Sequence, residues 1–165
     1  MQIDGLAEIL ELSRQKGLHT AVDTSGYAHR EHFERIHRHT DLFLYDLKNM
    51  DPELHKKYTG VDQGLILANA DFLLENGANM VFRIPVIPGI NTSENEILQM
   101  VGFLKERQEF MKEVHLLPYH RIAENKYLRL GVKLQLPDVK EPDQVFMQQL
   151  KTKFEKTGLE VILGG

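Results

Sequence analysis

Two hydrophobic periods alternate along the chain. In some stretches apolar residues recur every three or four positions, and in others they run nearly unbroken, an alternation typical of βα units around a parallel sheet. The fold class is therefore α/β. Ile3, Leu6, Ile9, Leu10 and Leu12 share one face of a first helix that stops near Gly17, which can take the left-handed conformation of a helix end. Leu18 to Asp23 follows as a short strand. Glu31 to His39 reads as a helix with Phe33 and Ile36 inward. Asp41 to Asp46 reads as a strand whose apolar run suits burial on both faces. A helix from Leu65 to Asn76 closes at Gly77, and Met80 to Ile84 forms a third strand, ended by a rigid loop with Pro85, Pro88 and Gly89. Ser93 and Glu96 can satisfy two free donors at the start of a helix that turns Ile97, Met100, Val101 and Leu104 inward. Glu113 to Leu117 is a fourth strand. A polar loop with Pro137 and Pro142 leads to a helix over Asp143 to Thr157 and a last strand over Leu159 to Leu163. No linker or low-complexity segment interrupts this order, so residues 1–165 read as one domain.

The start is unusual. A small parallel α/β domain ordinarily opens on a strand, whereas this chain opens on a helix, so a preceding strand is expected to be missing.

Composition narrows the chemistry. The 165 residues are 42% hydrophobic and 27% charged, which suits a globular core. Twenty Lys and Arg against 24 Asp and Glu leave a net charge of -4, so there is no basic field to hold a nucleic acid. No apolar run long enough to span a membrane exists, and the N-terminus resembles no export signal; the expected location is the cytoplasm. The cysteine count is zero, which removes disulfides, thiolate nucleophiles and iron-sulfur sites built on Cys.

In parallel sheets functional groups gather at the carboxyl ends of the strands, where loops converge. Here those ends carry Asp23-Thr24-Ser25-Gly26, Asp46-Leu47-Lys48, Arg83 before Pro85, and Tyr119-His120. Asp46 and Lys48 are two apart, which on an extended chain puts both on one face, either to share a ligand or to form an ordinary ion pair. Asp23 is equally good turn chemistry. Arg83, inside an apolar strand, must find an anion, and a salt bridge to Asp23 or Asp46 satisfies that need as well as a ligand does. His120 is either a ligand contact or a loop residue bonded to backbone. His29, His32, His37 and His39 lie among Arg and Glu on one helix and read as a solvated face rather than a metal site. Asn125-Lys126-Tyr127 either covers the rim or is a surface loop.

Asp-Thr-Ser-Gly-Tyr (23–27), Tyr-Asp-Leu-Lys (45–48), Arg-x-Pro-Val-Ile-Pro-Gly (83–89) and Leu-Leu-Pro-Tyr-His (116–120) stand in this order. With Lys126-Tyr127, Leu130-Gly131 and the closing Leu159-Glu160-Val161, the chain resembles the glycyl-radical-enzyme activating enzymes over nearly its whole length, the pyruvate formate-lyase activating type in particular. The resemblance implies a radical S-adenosylmethionine enzyme on a partial (βα) TIM-like barrel. It implies S-adenosylmethionine and a [4Fe-4S] cluster in the full-length family, and a glycyl radical enzyme such as formate C-acetyltransferase as partner. Asp23 and Asp46 then match residues near the methionine end of the cofactor, where a monovalent cation is held with Thr24. Lys48 and Arg83 match groups at its carboxylate or ribose, and His120 one beside the adenosine.

Two departures accompany the match. The family's Cys-x3-Cys-x2-Cys motif and its Gly-Gly-Glu-Pro segment are both absent. The chain is accordingly expected to be the C-terminal two-thirds of the family core, without its N-terminal strands, holding no cluster and inactive by itself. The edge of its first strand is then free to pair, so self-association is expected. Two other readings compete: a barrel in which Lys48 is a Schiff-base lysine, as in aldol chemistry, and a non-catalytic binding module.

Overall fold

The computed structural model describes residues 2–120, 131 and 139–164. Five parallel strands form one open sheet in the order β1-β2-β3-β4-β5: β1 (Ala21–Thr24), β2 (Leu42–Asp46), β3 (Met80–Val86), β4 (Glu113–Pro118) and β5 (Glu160–Leu163). The helices are α1 (Ile3–Gln15), α2 (Arg30–Ile36), α3 (Pro52–Thr59), α4 (Gly64–Glu75), α5 (Glu94–Lys105) and α6 (Gln144–Phe154). Sequential order with parallel pairing is what α/β alternation produces when each helix carries the chain back to start the next strand.

The two faces of the sheet differ, and this corrects the expectation that the second strand is buried on both. Phe43 and Tyr45 are fully buried, while Leu42, Leu44 and Asp46 are only half-buried. Register carries the division across the sheet: Val22, Phe43 and Met80 share the closed face, as do Tyr45 with Phe82 and Val114 with Val161. Edge-on contacts from Tyr45 to Phe82 (5.6 Å) and from Phe82 to Phe103 of α5 (5.7 Å) fill that face. The opposite face holds Asp23, Asp46, Arg83 and His115.

Other sequence expectations need correction, among them the end of the third strand, which runs through Pro85 to Val86. Ile9 and Leu12 do not join the inward face of α1, being 63% and 47% exposed, while Leu10 is buried there. The first strand is shorter than expected and ends one residue later, because Leu18 to Thr20 lie outside the ladder. Helix α3 was missed, although its punctuation is legible. The Asp51 side chain accepts from the N–H groups of Glu53 and Leu54, Pro52 stands at the first turn, and Gly60 ends the helix at φ 81°. The expected cover segment Asn125-Lys126-Tyr127, and the part of the polar loop that holds Pro137, lie outside the described residues.

Candidate functional site

The strand ends do what parallel topology predicts and bring polar groups from three neighbouring strands together. Asp46 on β2 and Arg83 on β3 are direct register partners. Nη2 of Arg83 donates to Oδ1 of Asp46 at 2.8 Å and to Oδ1 of Asp23 on β1 at 2.5 Å. Nζ of Lys48 donates to the other oxygen of Asp46 at 2.9 Å. Two carboxylates and two cations thus form one neutral network, and Arg83 bonds both acids instead of choosing one. Burial works to lower the Arg83 pKa, but the hydrogen bond with Asp23 and the charge of Asp46 outweigh it and leave that pKa raised. Nε of the same guanidinium is buried and has no partner among the described residues. Across the sheet, His115 is the register partner of Arg83 and has Nε2 3.2 Å from the Glu113 carboxylate.

Thr24 turns inward on its own loop, where its hydroxyl accepts from the N–H of Gly26 at 3.0 Å. The two carboxylates of the expected cation site converge on one Arg83 nitrogen, and Thr24 is bonded elsewhere. His120, beyond the end of β4, is more than half exposed and has Nδ1 3.8 Å from Glu141. No hydrogen bond among the described residues joins it to the Asp46–Arg83 network. The histidines of α2 assemble no metal-ligand set: no cluster of three or more His, Cys, Asp or Glu positioned for a metal occurs among the described residues.

A hollow of about 360 Å³ opens beside the network. It is lined by Asp46 and Lys48, by Tyr27 of the loop after β1, by His55 and Tyr58 of α3, and by Ile66. The walls are held rigidly. Asn69 of α4 donates to the carbonyls of Gly26 (2.9 Å) and Ala28 (2.8 Å), and the Tyr45 hydroxyl donates to the Ile66 carbonyl at 2.6 Å. Asn91 donates to the carbonyls of Lys48 and Pro85 and accepts from the N–H of Ile87, tying the loop after β3 to the end of β2. On the far side, the buried Glu96 of α5 accepts from the backbone N–H groups of Met50 and Asp51, seating α3.

The comparisons with known proteins identify the family and the fold. A model of the radical SAM superfamily matches residues 1–101. The chain belongs to that superfamily. Within it, the relatives are activating enzymes of glycyl radical enzymes. A crystal structure of a domain of pyruvate-formate lyase-activating enzyme from Bacteroides vulgatus superposes with a TM-score of 0.82 at 30% identity, over 99% of this chain and 91% of that one. The trans-4-hydroxy-L-proline dehydratase activating enzyme of Clostridioides difficile is 37% identical over 165 residues, covering 99% of this chain and 54% of that protein. The choline trimethylamine-lyase activating enzyme of Oleidesulfovibrio alaskensis is 39% identical over 133 residues, 79% of this chain and 43% of that protein. The chain thus spans about half the length of the curated relatives it matches. The family uses S-adenosylmethionine and a [4Fe-4S] cluster, and this stretch of it contributes no cysteine. The partial parallel barrel expected from the resemblance is the fold observed.

His55, Tyr58 and Asn69 were not singled out from sequence. The sequence signals that could have found α3 are its Asp51-Pro52 start and Gly60 stop; burial of a histidine leaves no trace in local periodicity.

Proposed function

We propose that this chain, as a single domain, supplies one wall of the S-adenosylmethionine site of a glycyl-radical-enzyme activating enzyme. The observation that carries the reading is the neutral network of Asp23, Asp46, Lys48 and Arg83, of which Asp46 and Lys48 line a hollow, with one buried guanidinium N–H unclaimed among the described residues. A zwitterionic methionine next to a sulfonium needs both signs of charge around it, and a carboxylate is best met by Lys or a forked Arg. Lys48 and Arg83 would take the carboxylate or ribose end, and Asp23 and Asp46 the cationic end. Thr24 would join the two acids around a monovalent cation once the Arg83 nitrogen between them moves to the ligand. His120 would turn from Glu141 toward the adenosine. In the full-length family, S-adenosylmethionine held there would supply the hydrogen-abstracting chemistry.

The iron-sulfur cluster does not fit these residues. Its donors are thiolates and the sequence has none, so the chain by itself is inactive in this reading. The partner is a glycyl radical enzyme, with formate C-acetyltransferase as the expected example, and the setting is the cytoplasm. No helix among the described residues is long and apolar enough to cross a membrane. Lys48 is committed to an ion pair with Asp46, which supports charge matching rather than the Schiff-base alternative.

Titration of the isotopically labelled chain with S-adenosylmethionine tests the site. Saturable shifts at the amides of Asp46 and Arg83, lost in Arg83→Met, are expected; shifts scattered over unrelated surfaces would overturn it. Anaerobic incubation with iron and sulfide tests the second half, with neither cluster absorbance nor 5′-deoxyadenosine expected. Turnover would refute the inactive assignment.

A further inference from the structure

The ladder between β2 and β3 stops just before Lys48, and for a chemical reason. Its last rung is the donation of the Leu47 N–H to the Arg83 carbonyl at 2.9 Å. In a parallel pair the next rung runs the other way, from the N–H of residue 85 to the Leu47 carbonyl. Residue 85 is Pro85, which has no N–H to give, so that rung cannot form. The chain that carries Lys48 therefore leaves the sheet without its ordinary backbone support.

A buried side chain takes over. Asn91, in the loop after β3 and 4% exposed, donates from Nδ2 to the Lys48 carbonyl at 2.9 Å and to the Pro85 carbonyl at 2.6 Å. Both protons of that nitrogen are used, one on each of the two strands where the ladder breaks. Its Oδ1 accepts from the Ile87 N–H at 2.9 Å, and its own backbone N–H donates to the Ile87 carbonyl at 3.2 Å, so the carboxamide is anchored before it reaches across. Further along, Met50 and Asp51 are held by Glu96 instead. Asn91 supplies the bond at Lys48 itself.

The consequence falls on the ammonium. Nζ of Lys48 pairs with Asp46 at 2.9 Å, but the side chain is 38% exposed and its stem is flexible. Where that charge can reach is set by where its backbone starts, and a displacement of about 1 Å is enough to spoil an oriented contact.

We propose that Asn91 is a positioning residue: its carboxamide replaces the rung lost at Pro85 and fixes Lys48 for the anionic end of the ligand. The proposal rests on the reading of these strand ends as part of an S-adenosylmethionine site. It adds a residue that acts on the ligand only through Lys48.

A double-mutant cycle on the 165-residue chain tests this, with S-adenosylmethionine affinity read from the amide shifts of Asp46 and Arg83. Lys48→Met and Asn91→Ala should each weaken binding about tenfold, in line with the loss of one hydrogen bond to a charged group. In the Lys48→Met background, Asn91→Ala should cost no further affinity. An Asn91 that merely supports the site would cost the same in both backgrounds, so additive losses overturn the proposal. Thr92→Ala removes a different bond of the same loop, the one its hydroxyl accepts from the Gly89 N–H, and should leave affinity unchanged. A loss there equal to that of Asn91→Ala also overturns the proposal, because any loosening of the loop would then suffice. If urea denaturation shows that Asn91→Ala does not fold, Asn91→Ser takes its place with the same expectation, since its single O–H can serve only one of the two carbonyls. A parent chain without saturable shifts fails the cofactor reading and leaves Lys48 no ligand, which overturns both; saturable binding with additive losses fails this proposal alone.

Discussion

The hydroxyl oxygen of Tyr45 lies 1.9 Å from where a β-carbon would stand on residue 26, and Gly26 itself sits at φ +76°. The loop after β1 can cross the end of β2 only because that position has no side chain. Gly26→Ala therefore meets steric overlap and left-handed backbone strain together, and is expected to lower stability by about 2–4 kcal/mol in urea denaturation. Tyr45→Phe gives no rescue, since the ring carbon Cζ remains 2.3 Å from the new atom. An alanine variant as stable as the parent chain would show that the loop is free to lift off Tyr45.

Asp46 and Asp23 bond the same Arg83 nitrogen but differ in solvation, with side chains 20% and 63% exposed. Solvent screens the Asp23 pair, so Asp23→Asn should cost less than about 1 kcal/mol. Asp46→Asn takes the charge from beneath both Arg83 and Lys48 in a half-buried setting and should cost about 1–3 kcal/mol. Paired urea titrations decide the order, and equal costs would mean that burial does not govern the network.

The strands and the charged rim were legible because their signals are local. An apolar run marks β2 and β3, and an Arg inside such a run announces its need for an anion. The sequence could not choose between Asp23 and Asp46 as that anion, since the choice depends on strand register, and register places both beside one nitrogen. Helix α3 escaped because its inward residues are few: His55 is buried, while Glu53, Lys56 and Lys57 face solvent. Its position is set from a distance by Glu96, whose place in a capping pattern accounted for its start-of-helix location but not for its reach to Met50 and Asp51.

That reach gives a pH prediction. Burial raises the Glu96 carboxyl above its ordinary value near 4.5, and the hydrogen bonds from Met50 and Asp51 offset this only in part. The folded chain thus holds the proton more tightly than the unfolded one, so this group's contribution is fully present below about 4.5 and is lost as pH rises through the folded pKa. Glu96→Gln does not titrate. The stability of the parent chain relative to Glu96→Gln should fall as pH rises from about 4 and level off once Glu96 has ionised, followed by urea midpoints across that range. A difference that grows with pH would mean that the two backbone donors outweigh burial.

The exposed flank of α1 and the free edge of β1 make the last prediction. Among the described residues β1 hydrogen-bonds only with β2, leaving a row of backbone donors and acceptors open. On α1, Asp4 pairs with Arg35 and Arg14 donates to the Arg38 carbonyl, which ties one flank to α2 and the turn after it. Ile9 and Leu12 lie on the other flank, and Leu18, 58% exposed, precedes the open strand. An unpaired edge next to exposed apolar side chains invites another chain, and by symmetry the simplest partner is a second copy. Sedimentation velocity should show concentration-dependent association, shifted toward monomer by Ile9→Lys with Leu12→Lys, while stability changes by less than about 0.5 kcal/mol because neither residue is in the core. A chain that stays monomeric at every concentration would mean that the charges around this flank, Glu8, Glu11 and Lys16, suffice to keep copies apart.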